Sequence, residues 1–146
     1  MKAFKKSALL VAVGLMSVSA FAADAFAASA RDRATGHFEA IGKGAVEAIL
    51  ADYADNATLY WIGGPLDGVH AGKASIETVW RKFTGAQGPL KVEVSDVAEH
   101  ANPKGSTVSA NVKFLGKGTV PVHYVLTYHG DRLVSEIWQI DPKLAK

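Results

Sequence analysis

The sequence predicts an α+β domain, with helices gathered ahead of a largely antiparallel sheet that curves around them. Two observations carry this reading. Apolar residues recur with helical spacing around Phe38 to Tyr53 and Lys73 to Phe83, whereas from Leu90 onward they alternate with period two. Each of these segments is apolar on one face only, so each must bury that face. Helices segregated in this way bury theirs on one side of a sheet. Residues 31–146 read as this single domain, without internal repeat, low-complexity segment or linker.

The elements follow in order. Phe38 and Ile41 share a helical face until Gly42 to Gly44 interrupt it. Val46, Ile49, Leu50 and Tyr53 then resume the helical spacing, which gives two short helices with a glycine break. Ala57 to Ile62, "ATLYWI", is rich in β-formers and is closed by Gly63-Gly64-Pro65, so it reads as a short strand followed by a loop. Ile76, Val79, Trp80 and Phe83 fall at i, i+3, i+4 and i+7 and form one wide apolar stripe on a helix that must pack on the sheet. "LKVEVSDV", the turn "NPKG" and "STVSANVKFLG" supply two alternating strands. "PVHYVLTYHGDRLVSEIWQID" (Pro121 to Asp141) supplies two more, joined at "HGDR".

Ahead of the domain, Lys2, Lys5 and Lys6 precede an apolar run that ends in the small-x-small triplet Ala20-Phe21-Ala22. This is a secretory signal peptide over residues 1–22, and the second triplet Ala25-Phe26-Ala27 allows cleavage up to residue 27. The run is shorter than the ~20 residues of a bilayer span. A periplasmic or secreted product with no stable membrane anchor is therefore expected. The whole chain carries a formal net charge of +2. Removal of the three leader lysines leaves the mature domain nearly neutral, without the electrostatic footprint of a nucleic-acid binder. Zero cysteines exclude disulfides and thiolate zinc sites. His123 and His129 share strand parity but lie ~20 Å apart along a strand, too far to ligate one metal. No metal and no cofactor are expected.

On "AILADYADNATLYW", "GKASIETVWRKF" and "GDRLVSEIWQID" the chain resembles the nuclear transport factor 2-like superfamily, in its SnoaL-like and ketosteroid isomerase-like branch, over residues 33–141. The resemblance implies a cone, a cystatin-like roll whose curved sheet closes over the helices around a deep, mostly apolar pocket for a small apolar or aromatic molecule. In ketosteroid isomerases a tyrosine and two aspartates do the chemistry. A gapless comparison puts His37, Trp61 and His123 at those three positions. Trp61 cannot abstract a proton, so isomerisation by that mechanism is not expected.

The final hairpin can also be read from its residues. With the turn centred on Gly130-Asp131, His123 faces Trp138 and Val125 faces Glu136, which puts His123, Glu136 and Trp138 on one face. An imidazole beside a carboxylate is either a general acid/base pair or a satisfied structural pair. In the catalytic reading His123 is the base, Glu136 orients it, and His37 or Tyr53 polarises the substrate in SnoaL-like isomerase, cyclase or hydrolase chemistry. In the binding reading Tyr53, Trp61 and Trp138 line the ligand site. In a third reading the opposite sheet face, with Val122, Tyr124, Leu126 and Ile137, is covered by a second copy in a homodimer.

Overall fold

The computed structural model describes residues 28–146; the expected signal peptide lies outside the described residues. The order is α1 (Ala30–Lys43), α2 (Val46–Ala51), β1 (Tyr53–Ile62), β2 (Gly68–Ala71), α3 (Lys73–Gln87), β3 (Lys91–Asn102), β4 (Gly105–Leu115), β5 (Thr119–His129), β6 (Arg132–Ile140) and a 3-10 turn at Pro142–Ala145. The six strands form one curved, unclosed sheet in the order β2-β1-β6-β5-β4-β3. All neighbours are antiparallel except β1 and β6, which run parallel.

Local chemistry accounts for the helix ends. Ser29 and Asp32 form a reciprocal capping box at the start of α1, so two otherwise orphaned N–H groups are satisfied. The helix does not stop at Gly42, as the glycine break suggested. It ends at Gly44, whose φ of 67° closes it in the left-handed conformation. Gly42 has a different task. The start of β3 crosses it, with Leu90 N–H donating to Gly42 O at 2.8 Å, and a Cβ there would lie 2.8 Å from Leu90 O.

The stripe of α3 packs inward as expected, with Ile76, Val79, Trp80 and Phe83 buried. Two elements differ from expectation. The loop after β1 contains a short strand, β2, paired through Thr58 to Trp61. Tyr53 opens β1 instead of ending a helix, because Leu133 N–H donates to Asp52 O at 2.8 Å and draws the chain onto β6.

The decisive irregularity is in β6. At the turn His129 pairs with Arg132 and Tyr128 with Leu133, as expected for that centre, but Thr127 pairs with Ser135. Val134 is therefore an extra residue, a β-bulge that shifts the register beyond it by one. From there Leu126 faces Glu136, Tyr124 faces Trp138 and His123 faces Gln139. A one-residue shift exchanges the two faces of a strand relative to its neighbour.

The core lies between the helices and one face of this sheet. Its largest fully buried side chains include Trp80, Trp138, Tyr53, Tyr124, Tyr128, Phe38 and Phe114. Val122, Tyr124 and Leu126, expected on the outer face, are fully buried in that core. Of the four residues of the expected dimer face, Ile137 alone sits on the outside, half-buried beside Val125. Among the described residues no helix is long and apolar enough to cross a membrane.

Candidate functional site

Two places deserve the name of a site, a buried charged network and an apolar cavity. They meet at a wall of aromatic rings.

The network begins on α1. His37 is fully buried and each of its ring nitrogens faces a carboxylate: Nδ1 lies 3.1 Å from Asp52 Oδ2, and Nε2 lies 3.2 Å from both Glu136 oxygens. Carboxylates only accept, so both nitrogens must donate, and the ring is an imidazolium. Burial is the largest influence on His37 and pushes its pKa down. The charge of Glu136, then the hydrogen bonds that His37 donates to Asp52 and Glu136, outweigh it and raise the pKa from 6.5 to about 9. Tyr53 OH also donates to Glu136, and Trp80 Nε1–H donates to Tyr53 OH at 2.9 Å. Burial, then the Glu136 charge, holds the Tyr53 hydroxyl well above its usual range.

Glu136 thus accepts from His37 and Tyr53 at once. The chain of hydrogen bonds runs Trp80, Tyr53, Glu136, His37, Asp52, and only Asp52, 30% exposed, meets solvent. Sequence reasoning missed Asp52 and read Trp80 as core filling. No local pattern marked Asp52, because its contact with His37 spans 15 residues.

His123 is not part of this network. The bulge at Val134 turns it to the outer face, where its Nδ1 lies 2.8 Å from Asn111 Oδ1. Asn111 Nδ2 in turn donates to Asp96 Oδ2 at 2.9 Å. Asp96 fixes the Asn111 amide, so His123 Nδ1 is the donor to Asn111 Oδ1. The expected pairing of His123 with Glu136 is therefore corrected to His37 with Glu136.

The second place is a cavity of about 370 Å³ at the mouth of the sheet, lined by Trp61, Pro65, Leu66, Lys82, Phe83, Ala86, Gln87, Val120 and Ile140. The loop between β1 and β2 makes its rim. Gly63 N–H donates to Asp67 Oδ1 at 2.7 Å, and His70 Nε2–H donates to Leu66 O at 3.0 Å. Of the three expected ligand-binding residues, Trp61 lines this cavity. Trp138 lies behind it, stacked on Trp61 at 4.2 Å and 22°. Tyr53 is deeper still, in the network. The interior behind this wall holds the buried rings of Trp80, Trp138, Tyr53, Tyr124 and Phe38. Trp80 and Phe83 meet Trp61 edge-on at 5.5 Å and 5.3 Å and complete the wall between cavity and network.

A layered α+β fold of this topology, with a charged cluster inside the roll, defines the broad class, and the comparisons make it specific. The SnoaL-like domain family matches residues 34–136, and the chain belongs to it. No curated protein matches the sequence. Solved structures of the same fold include a nuclear transport factor 2-like protein of unknown function from Pseudomonas putida (18% identity, 75% of this chain and 82% of that one, TM-score 0.66). A protein of unknown function with a cystatin-like fold from Nostoc punctiforme aligns with 17% identity over 80% of this chain and 96% of its own, at a TM-score of 0.61. A hypothetical protein with a ketosteroid isomerase-like fold from Catenulispora acidiphila, in complex with trimethylamine, has 17% identity, 80% and 90% coverage and a TM-score of 0.56.

Proposed function

We propose that this SnoaL-like domain binds a small, flat, apolar molecule in the mouth cavity, with its ring on Trp61 and Phe83. The observation that carries the reading is the lining: seven of the nine residues are apolar, two of them aromatic. The volume also falls at the lower end of the ~300–1,000 Å³ of ligand sites. The bound trimethylamine of the Catenulispora neighbour is a small organic molecule held on the same fold. Calorimetric titration with naphthalene derivatives tests this. Binding that is lost in Ala86→Trp, which fills the cavity from its exposed edge, is the expected result. Binding that survives this change sinks the reading.

A second reading, acid/base chemistry on the bound molecule, is favoured by one contact. The network ends at Trp80, whose ring meets Trp61 of the cavity wall. In this reading Trp61 and Trp80 part to bring the molecule within hydrogen-bond reach of Glu136, which exchanges the proton while His37 and Tyr53 hold it in place and Asp52 links to solvent. Glu136→Gln should then abolish turnover of a substrate while leaving its affinity within a few-fold. Undiminished turnover would remove Glu136 from the chemistry.

We further propose export and self-association. The Lys2 to Ala22 segment supports cleavage, and intact-mass measurement on a periplasmic extract should find a mature start between Ala23 and Ala28. Full-length chain retained in the membrane would overturn it. For the dimer, Val69, Tyr60, Ile137 and Val125 are successive cross-strand partners along one row of the outer face. Val69 and Tyr60 are exposed, Val69 at 64%. Tyr60→Lys should then give a folded monomer. Sedimentation of the unmodified protein as a monomer at high micromolar concentration would refute this.

A further inference from the structure

We propose that the molecule taken into the mouth cavity is a flat ring system bearing one carboxylate, with its apolar body against Trp61 and Phe83 and its oxyanion at the Lys82 ammonium. This rests on the binding reading above and adds the chemical class of the ligand. Lys82 and Gln87 are the only polar side chains of the lining, and none of the nine residues is acidic. Both come from α3, so the cavity is apolar on every side but one.

The charge of Lys82 is not spent elsewhere. Among the described residues its neighbour Arg81 takes both nearby carboxylates, Glu47 at 2.8 Å and Glu77 at 2.7 Å, while no carboxylate lies within ion-pair distance of Lys82. Asp67 shares the adjoining depression with Lys82, accepts from Gly63 N–H at 2.7 Å and lies beyond ion-pair distance of the Lys82 ammonium. The Lys82 side chain lines the cavity and is exposed, so its ammonium can attract an anion bound there, an attraction that solvent and salt screen in part. It also repels a cationic ligand of the same shape, which is discrimination by like charge. The Gln87 amide has two N–H donors for the second carboxylate oxygen. A cavity of this size holds one or two fused rings and little more.

The experiment compares naphthoate with naphthamide, two probes of one shape that differ in charge, by calorimetry on the full mature chain. The unmodified protein should bind naphthoate about fivefold more tightly, the worth of a favourable exposed ion pair. Lys82→Met should bring the two probes level, and Lys82→Arg should restore most of the difference. Raising salt from about 20 mM to about 500 mM should weaken naphthoate and leave naphthamide unchanged, a readout that needs no variant. If the unmodified protein binds both probes equally at low salt, the carboxylate preference is wrong and the apolar site stands. If neither probe binds, or if Ala86→Trp binds both as before, the apolar site is wrong and this proposal falls with it.

Discussion

Raising the pH should weaken this domain through one residue. His37 is fully buried between Glu136 and Asp52, and its pKa is lifted from 6.5 to about 9. A folded pKa above the unfolded one means that the folded state holds the proton more tightly. The stabilisation is therefore complete below about pH 6.5 and lost as pH rises through about 9. At ~1.4 kcal/mol per tenfold change in proton affinity, the difference amounts to roughly 3 kcal/mol. With a urea slope of ~1–3 kcal/mol per molar, the unfolding midpoint should fall by about 1 to 3 M between pH 6 and pH 9.5. Tyr53 and Tyr124 are also held above their usual range, chiefly by burial. They oppose folding only above the ordinary tyrosine value of ~10, beyond that window. The assay is tryptophan fluorescence, since Trp61, Trp80 and Trp138 are all buried. The nitrogen NMR signals of His37 supply an independent check, and both ring nitrogens should be protonated at neutral pH. A flat midpoint over this range, or a His37 ring that titrates near 6.5, would refute the imidazolium and the network built on it.

Other outcomes follow from the same geometry. Glu136→Gln should lower the His37 pKa by removing the strongest influence that raises it, and should cost about 3 to 5 kcal/mol as a broken buried pair; NMR titration and urea unfolding measure the two effects. Tyr53→Phe should destabilise by about 1 to 3 kcal/mol because it strips one hydrogen bond from Glu136 and one acceptor from Trp80. Tyr124→Phe should be neutral or mildly stabilising, because its buried hydroxyl has no partner among the described residues; a cost above about 1 kcal/mol in urea unfolding would contradict this. Gly42→Ala should cost about 1 to 3 kcal/mol, since the added methyl meets Leu90 O and the Val92 side chain. An unchanged melting temperature would show that β3 can move away from α1.

The fold was legible because it depends on periodicity. The stripe Ile76, Val79, Trp80, Phe83 and the alternation after Leu90 leave few alternatives, and the shared features with the SnoaL-like family supplied the topology that periodicity cannot. The site was half legible. His37, Glu136 and Tyr53 were singled out, and the structure brings them together. The partner assigned to Glu136 was wrong because its assignment rested on counting residues across a hairpin. Val134 looks like any strand residue in "RLVSE", yet as a bulge it sends His123 outward and Tyr124 inward while Glu136 stays inside. Short four-residue β2 was missed for a related reason: "GVHA" has no clear alternation, and it exists through its pairing with Thr58 to Trp61. Asp52 and Trp80 join the site through contacts that bridge 15 and 27 residues of sequence, which no local pattern encodes.

The place of β6 in the sheet also governs when the domain can exist. β6, the sixth strand in chain order, is hydrogen-bonded between β1 and β5, near the middle of the sheet. It carries Leu133, Glu136 and Trp138 into the core. Its parallel pairing with β1 joins Leu59 to Glu136, across more than half of the chain. Such non-local closure is slow, because loop entropy is lost before the contacts form. A chain that ends before residue 132 has no seat for Trp61 and only one of the two carboxylates that face His37. The roll must therefore stay open until β6 has docked, so its closure waits on a pairing that is distant in sequence.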